Sequence, residues 1–241
     1  MLIPGITICI IISSCTKNDV FNPEAALLKT KYWYLTRYET IPYKTTKYKY
    51  DSHRRLERIN HYTKDSDLLL IYELLEYNAD NEIVNKYTFH YANDSIGWLL
   101  NDSSEFTYDN GELIEEMTCY PSPNSYRVSF YYEYDHSLVI SKARYDNGKF
   151  EYCIQYEYEN GICTKETRYS DIDLSIMAGY TIHYYEDELL IRSEKFTSQN
   201  QNFQVILYSY DPHGNLTTEE SVGTYFPVVA PVEYFYRYEY Y

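Results

Sequence analysis

Residues 207–216 read Leu-Tyr-Ser-Tyr-Asp-Pro-His-Gly-Asn-Leu. This order is typical of a β-hairpin: an aromatic-x-aromatic strand, an acidic residue, a tight turn and the start of a second strand. Tyr208 and Tyr210 are two residues apart, so their side chains point to the same face of a strand. In the turn, Pro212 sets φ and Gly214 adopts the left-handed conformation that follows. The stretch therefore predicts two antiparallel strands.

The same unit recurs along the chain in less perfect copies. Its second aromatic residue returns about every 25 residues, with an irregular region between 77 and 108, at Tyr50, Tyr77, Tyr91, Tyr108, Tyr134, Tyr158, Tyr185 and Tyr210. The predicted return strands also carry aromatic residues near their ends, at Tyr62, Tyr120, Tyr145, Tyr169 and Phe196. A period of this length indicates a repeat architecture built from one supersecondary unit. The 33 tyrosines favour strands, because Tyr is a strong strand former.

Three Asn-Gly pairs lie between strand-like runs, at 110–111, 147–148 and 160–161. Asn-Gly supplies the two positive-φ residues of a type I′ turn, whose twist matches that of paired strands. The predicted fold is therefore all-β: a meander of antiparallel hairpins over residues 31–241, curled into an open sheet or roll. A closed barrel is the alternative. Residues 234–241 resemble a first strand without a return strand, so they either close the array or leave an edge.

The hairpin unit resembles the YD (Rhs-type) repeat, whose pattern is Y-x-Y-D-x-x-G-x-L. Residues 208–216 match this pattern, and residues 48–56 match it with Arg54 at the glycine position. The resemblance covers about residues 45–241 and implies an array of hairpins. Large members of that family build a closed shell around a toxin. This chain has too few hairpins for such a shell, so that function is not carried over.

The first fifteen residues differ from the rest of the chain. Residues 2–12 are apolar apart from Gly5 and Thr7, and residues 1–15 carry no charge. A bilayer-spanning helix needs about 20 residues, so the run fits the apolar core of a secretory signal better. Residues 12–15, Ile-Ser-Ser-Cys, resemble a bacterial lipobox, which implies lipid attachment at Cys15. The alternative is an N-terminal core strand or helix with an incidental cysteine.

Residues 16–30 are interpreted as a tether. Residues 16–19, Thr-Lys-Asn-Asp, resemble the segment that follows the lipidated cysteine in surface lipoproteins of Bacteroidota. Residues 22–29 have a cap residue, a proline in the first turn and good helix formers, and they predict one short helix. A first strand is predicted over residues 32–38. These features imply a lipid-anchored protein of the outer membrane, and they leave open whether it faces the periplasm or the exterior.

Charge and motifs exclude several functions. The formal charge of −15 disfavours binding to nucleic acid and to anionic lipid surfaces. The six histidines lack metal-ligand spacing, and three of them are expected in turns: His53, His136 and His213. The neighbouring acids of Glu115-Glu116 and of Glu219-Glu220 would point to opposite faces of a strand, so neither pair converges on a substrate. We therefore predict no catalytic residue, no metal site and no cofactor.

The cysteines of the predicted hairpin region are Cys119, Cys153 and Cys163. With a turn at residues 160–161, Cys163 should face Tyr158 and Cys153 should face Arg168. The two cysteines are then offset along the hairpin. We therefore predict that no disulfide joins them.

Tyrosines fall on both faces of several predicted strands, as in Tyr131-Tyr132 and Tyr184-Tyr185. One interpretation is a sheet that packs on both faces; the other is an exposed aromatic row that binds a sugar or a protein. The resulting hypothesis is a non-catalytic, lipid-anchored cell-envelope protein that acts as a scaffold or binding module. The alternatives are a carbohydrate-binding surface protein and a hydrolase with an unrecognised site.

Overall fold

A computed structural model describes residues 26–35, 38–63, 68–121, 125–223 and 234–241. Within these residues the chain forms sixteen β-strands. Their bounds are β1 Leu28–Tyr34, β2 Lys44–Tyr50, β3 Leu56–Thr63, β4 Leu69–Tyr77, β5 Ile83–Asn93, β6 Gly97–Asp109, β7 Glu112–Tyr120, β8 Tyr126–Asp135, β9 Leu138–Asp146, β10 Lys149–Glu159, β11 Ile162–Tyr169, β12 Met177–Glu186, β13 Leu189–Thr197, β14 Asn202–Tyr210, β15 Leu216–Gly223 and β16 Tyr234–Tyr240.

The strand order starts at β1, passes to β16 and descends to β2, and it is that of a closed barrel. The all-β meander is confirmed, and its closed form is the alternative predicted from the sequence; the open sheet is not formed. The last strand is what closes the order, since β16 pairs antiparallel with both β15 and β1. Closure gives the backbone groups of this strand partners on both sides.

The chain divides into two compact units. Of the described residues, those up to Tyr43 and those from Cys153 to Tyr241 form unit 1, and those from Lys44 to Tyr152 form unit 2. In unit 1 the more buried face of the sheet carries His183, Ser193, Ile206, Glu219 and Tyr238, all at most 8% exposed. The register places these side chains on one face, because His183 is opposite Ser193 and Ser193 is opposite Ile206. Polar and aromatic side chains therefore share this interior.

The turn after Tyr210 has the predicted structure. Asp211 accepts hydrogen bonds at Oδ1 from the backbone N–H groups of His213 (2.8 Å) and Asn215 (2.9 Å), and Gly214 has φ +80°. The bond from the Asn215 side chain, together with these backbone bonds, holds the pKa of Asp211 below its ordinary value. Asp51 makes the same pair of backbone contacts in the first copy, with Arg54 at φ 64° in the glycine position. The acidic residue of the repeat is thus the organiser of the turn.

The three Asn-Gly turns also have the predicted conformation. Asn110, Asn147 and Asn160 have φ between 50° and 53°, and each is followed by a glycine at φ 78° to 81°. Two further hairpins use the same conformation without glycine, at residues 136–137 and 187–188. Left-handed conformations cost non-glycine residues about 1 kcal/mol. These two turns are therefore strained relative to the Asn-Gly turns.

The residue at the turn's left-handed position should determine part of the hairpin's stability. Gly214→Val is expected to lower the free energy of unfolding by about 1 kcal/mol or more, because a β-branched residue resists positive φ. No heavy atom lies within 4 Å of a Cβ built at Gly214, so the loss would come from strain and not from a clash. Arg54→Gly at the matching position should raise stability. Denaturant midpoints measure both changes, and unchanged midpoints would contradict the turn assignment.

One hydrogen bond recurs between successive hairpins. The second tyrosine of a repeat donates a hydrogen bond from its hydroxyl to the backbone carbonyl of the first or second residue in the return strand of the preceding repeat. The pairs are Tyr77 to Leu56 (2.8 Å), Tyr134 to Leu113 (2.9 Å), Tyr210 to Leu190 (2.9 Å) and Tyr240 to Leu216 (2.9 Å). Burial raises the pKa of Tyr77 and of Tyr240 to about 12, so these hydroxyls remain donors over the physiological pH range. This contact gives a reason for the second tyrosine of the repeat, because no other side chain places a hydroxyl at the end of an aromatic ring.

Removing one of these hydroxyls should test the contact directly. Tyr210→Phe is expected to cost about 1 kcal/mol of stability, since the Leu190 carbonyl loses its donor while the ring stays in place. Tyr241→Phe is the control, because Tyr241 is 69% exposed. Equal unfolding midpoints for both variants would show that the hydroxyl contributes nothing measurable.

The structure corrects four local expectations. The helix predicted over residues 22–29 does not reach its end, because β1 begins at Leu28; residues 22–25 lie outside the description. The first strand ends at Tyr34 instead of residue 38. Cys163 does face Tyr158, but Cys153 faces Tyr169 and not Arg168, because a register shift lies between Glu157 and Tyr158. Cys153 carries a thiol, in agreement with the prediction that no disulfide joins it to Cys163.

The fourth correction concerns Tyr91, which the sequence pattern groups with the second tyrosines of the repeat. It lies in β5, a return strand, and faces Trp98 of β6. Strands β5 and β6 extend toward the turn that joins them, and Tyr91 lies in this extension, outside the repeat unit. This displacement explains the irregular spacing between 77 and 108.

Candidate binding surface

The buried face of unit 1 contains a hydrogen-bonded polar chain. His183 Nδ1 lies 2.9 Å from Ser193 Oγ, and His183 Nε2 lies 3.3 Å from Glu166 Oε1. Ser193 Oγ also lies 3.5 Å from the hydroxyl of Tyr208. Strands β11 to β14 supply these groups on one face of the sheet, with His183 directly opposite Ser193. Burial of this kind requires that polar groups satisfy one another.

Glu219 lies on the same buried face and makes two further hydrogen bonds. Its carboxylate accepts hydrogen bonds from Tyr234 and Tyr238, each at 3.0 Å. Burial, followed by the charge of Glu219 and its hydrogen bond, raises the pKa of Tyr234. Burial lowers the pKa of the nearby Lys195 amine, although the carboxylates of Glu166 and Glu219 oppose that shift.

Unit 2 has a similar arrangement on its own buried face. His61 Nε2 lies 2.8 Å from Glu73 Oε1, and His61 Nδ1 lies 3.0 Å from Thr46 Oγ1. Lys86 Nζ lies 3.7 Å from the second oxygen of Glu73. Burial alone would raise the pKa of Glu73, but the bond from His61 and the charge of Lys86 outweigh it and lower the pKa.

The order hydroxyl–imidazole–carboxylate in both units is that of a nucleophile, a base and an orienting acid. Ser193 is 1% exposed, however, and the His183 side chain is equally buried. A nucleophile has to contact its substrate, so the buried Ser193 and His183 suit internal packing. The buried polar chains are therefore interpreted as interior hydrogen-bond networks.

The opposite face of unit 2 carries a compact group of aromatic side chains, here called the aromatic cluster: Tyr72, Phe89, Tyr91 and Trp98. Tyr72 and Phe89 stack with centroids 4.8 Å apart and an interplanar angle of 19°. Trp98 packs edge-on against Tyr72 at 4.7 Å and against Tyr91 at 5.4 Å. Three neighbouring strands, β4, β5 and β6, provide the four rings through the pairs Tyr72–Phe89 and Tyr91–Trp98.

Polar groups and exposed aliphatic groups border the aromatic cluster. The Arg58 guanidinium lies 4.1 Å from the Tyr72 centroid and donates from Nε to Asn60 Oδ1 at 2.7 Å. On the other side, the Tyr91 hydroxyl donates to the Asp94 carboxylate. Ile96 is 58% exposed and Leu100 39% exposed beside the rings. The cluster thus combines ring surface with hydrogen-bonding groups at a solvent-accessible position.

The residues singled out in the sequence are dispersed. His53, His136 and His213 lie in exposed turns, as predicted. Glu219 is buried while Glu220 faces the other way, so that pair does not converge. Among the described residues, no three His, Cys, Asp or Glu side chains are placed to hold a metal ion. Cys15 and the rest of the proposed signal lie outside the described residues.

No helix within the described ranges has the length and apolar character needed to cross a membrane.

Sequence reasoning missed the interior networks and the aromatic cluster. His61 and His183 gave no local signal, because their partners Glu73 and Ser193 come from other strands. The cluster gave a weak signal in the two aromatic residues Tyr72 and Trp98, which fall outside the repeat pattern. Aromatic residues off the repeat positions are the feature that could have indicated it.

Comparison with known proteins adds a likeness of fold. No family model matches the chain, and no curated protein matches it. A porin-like protein from Bacteroides uniformis has a TM-score of 0.55 at 12% identity, covering 90% of this chain and 99% of that one. A chain of the TcdB2-TccC3 structure has a TM-score of 0.24 at 10% identity over 80% of this chain and 14% of that one. A protein with unknown function from Bacteroides fragilis has a TM-score of 0.20 at 10% identity, covering 64% and 91%.

The last two scores are too low to support an argument. At 12% identity the first comparison concerns architecture alone. The chain therefore shares its all-β, closed meander fold with the porin-like protein from Bacteroides uniformis.

Proposed function

We propose that this protein is a non-catalytic, lipid-anchored cell-envelope protein that acts as a binding module. The observation that carries the proposal is the aromatic cluster of unit 2, a set of packed rings beside exposed apolar and hydrogen-bonding groups. Aromatic side chains at solvent-accessible positions are the usual anchors of recognition surfaces. In unit 1 the hydroxyl of the hydroxyl–imidazole–carboxylate chain, that of Ser193, is buried, which favours binding over hydrolysis there.

Two features support an envelope location. The first fifteen residues combine an uncharged apolar run with a lipobox-like ending at Cys15. The shared fold with a porin-like protein is compatible with that location. The acidic overall charge of −15 supports attachment through a lipid and not through electrostatic adhesion to anionic headgroups.

The exposed faces of both units support a folded region that lies in water and not in the bilayer. In unit 1 this face carries Arg192, Glu194 and Arg237, which lie within β13 and β16 and not at the strand ends. The corresponding face of unit 2 carries Lys49 and Arg58, which face one another across β2 and β3. Arg or Lys on a lipid-facing strand costs about 2–4 kcal/mol near the bilayer midplane. Several such charges on neighbouring strands therefore favour an anchor as the membrane attachment.

Replacing the proposed lipid-attachment residue tests the anchor. Cys15→Ala is expected to leave the hairpin array folded while releasing it from the membrane fraction or stalling its processing. The reason is that each buried CH₂ of an acyl chain contributes about 0.8 kcal/mol, so two or more chains give stable attachment. Wild-type protein should incorporate a fatty-acid analogue, and the variant should not.

The matched control is Cys119→Ala, which removes a thiol from β7 and should change neither labelling nor fractionation. Wild-type protein that is unlabelled, soluble and still carries Met1 would contradict the lipoprotein hypothesis. The first fifteen residues would then have to be assigned to the fold.

A further inference from the structure

We infer that the exposed face of β13, β14 and β15 in unit 1 is a dimerisation surface for a second copy of this chain, an inference that is independent of the aromatic cluster. The observation behind it is a row of three side chains, Arg192, Leu207 and Glu220, which lie directly opposite one another on adjacent strands. The row runs from a positive group through an apolar group to a negative group. Its order is therefore complementary to its own reverse.

An apolar strip on β14 forms the centre of this face. Phe203, Val205 and Leu207 are each two residues apart, so they point to the same side of the strand. Phe203 is 39% exposed and Leu207 is 40% exposed, and Val222, opposite Val205 on β15, is 39% exposed. Contiguous exposed apolar side chains with polar neighbours mark interaction surfaces.

A two-fold axis that runs along β14 in the plane of the interface gives each charge of the row a partner. Rotation about that axis lays the β14 strands of the two copies over one another, and β13 of one copy over β15 of the other. Leu207 then packs against the partner's Leu207, and Arg192 faces the partner's Glu220. The same ion pair is made twice, as in the isologous interfaces of two-fold dimers.

The distances suit direct ion pairs. Packed sheets lie about 10 Å apart face to face, a gap that an arginine and a glutamate side chain fill from opposite sides. The Arg192 side chain is 42% exposed, and its guanidinium lies 4.0 Å from the centroid of the Tyr184 ring. This stacking holds the guanidinium on the outer face of the sheet, where the opposing carboxylate reaches it.

Glu194, the next acid on this face, is already satisfied within the chain. Its carboxylate accepts a hydrogen bond from the Tyr184 hydroxyl at 3.0 Å, and its second oxygen lies 3.6 Å from Arg192 Nε. The two-fold axis places the partner's Val222 over this side chain. Because the Glu194 side chain is only 18% exposed, that contact removes little water from its carboxylate.

The pattern of charge favours a second copy over other occupants. Arg192 and Glu220 flank the apolar strip, and a basic side chain that faces lipid costs about 2–4 kcal/mol near the bilayer midplane. A different protein would have to present the reverse order of charges, which a second copy presents by symmetry. The apolar strip is smaller than the roughly 800 Å² that each partner of a stable interface buries, so the dimer should be weak and concentration-dependent.

The first test is sedimentation equilibrium of the full chain in a nonionic detergent whose micelles outnumber the chains. We expect a monomer–dimer equilibrium that shifts toward the dimer as the protein concentration rises. Leu207→Asp should weaken dimerisation at least about tenfold, because it brings two carboxylates together at the two-fold axis. Leu99→Asp is the matched control, since Leu99 is 41% exposed in unit 2, and it should leave the dimerisation constant unchanged.

Charge reversal tests the two-fold arrangement itself. Arg192→Glu and Glu220→Arg should each weaken dimerisation at least about tenfold, since each places like charges across the interface. The double variant Arg192→Glu/Glu220→Arg should recover most of the lost affinity, because both ion pairs form again with their charges exchanged. Lys49→Glu, at an exposed position of unit 2, is the control for the change of net charge. Variants are compared at equal folded fraction, measured by their unfolding midpoints.

A chain that stays monomeric at every concentration would overturn the inference, and so would a dimer that Leu207→Asp does not weaken. Single charge reversals that weaken dimerisation without recovery in the double variant would overturn the two-fold pairing on which it rests. If Leu207→Asp abolishes binding to a different protein or to vesicles while the purified chain is monomeric, this face belongs to that occupant and the inference fails.

Discussion

Gly179→Ala is expected to lower the free energy of unfolding by about 3 kcal/mol, a large loss for a single methyl group. A Cβ at this position would lie 2.5 Å from the carbonyl oxygen of Phe196, a backbone atom of the neighbouring strand β13. Gly179 lies opposite both Thr197 and Arg168, so strands on both sides confine it. Relief would require β12 and β13 to move apart, with loss of ladder hydrogen bonds. Denaturant unfolding should show a lower midpoint with an unchanged m-value.

Two controls distinguish the close approach from general effects of substitution. Ala178→Val, at the exposed neighbouring position, should leave stability unchanged or slightly raised, because a β-branched residue suits a strand. Gly148→Ala should cost about 1 kcal/mol, since Gly148 has φ +80° and no heavy atom within 4 Å of its Cβ position. If Gly179→Ala were no more destabilising than Gly148→Ala, the inferred strand spacing at Phe196 would be wrong.

Glu219→Ala is expected to destabilise the protein by a similar amount, about 2–4 kcal/mol. The carboxylate accepts hydrogen bonds from Tyr234 and Tyr238, and Tyr238 is only 6% exposed. Truncation leaves these hydroxyl donors without their acceptor, and each unsatisfied buried group costs about 1–3 kcal/mol. Because these bonds join β15 to β16, the loss should appear first at the C-terminal strand. Hydrogen exchange of the β16 amides measures that local effect.

The neighbouring Glu220 provides the matched control. It lies on the opposite face of the same strand. Glu220→Ala should therefore lower the free energy of unfolding much less than Glu219→Ala does. Adding Tyr238→Phe to Glu219→Ala should recover part of the loss, since one unsatisfied donor is removed. Equal effects of Glu219→Ala and Glu220→Ala would refute the role of the buried carboxylate.

The hairpin positions were predictable because the interactions that define them are local. Asp211 bonds to backbone groups two and four residues later, and Asn110 with Gly111 adopts positive φ within the turn itself. The error at Cys153 has a related cause. A single register shift between Glu157 and Tyr158 moves every pairing farther from the turn by one position, so Cys153 faces Tyr169.

The candidate surface was predictable only in part. Exposed aromatic residues were one of two interpretations of the tyrosine pattern, and the sequence did not say which rings would meet. Tyr72 and Trp98 come together through the registers of β4 with β5 and of β5 with β6. Strands β5 and β6 extend beyond the repeat unit and thereby bring Tyr91 beside Trp98. The repeat pattern did not predict this extension.

Sequence alone determined the repeated unit: its strands, its turns and the acidic residues Asp51 and Asp211 that organise two of those turns. These features depend on backbone dihedral preferences and on hydrogen bonds between residues a few positions apart. The tertiary structure decided that β16 pairs with β1, that Glu219 lies buried among tyrosines and that four rings pack into one cluster. Those outcomes depend on contacts between residues that are distant in the chain, whose energies no short stretch contains.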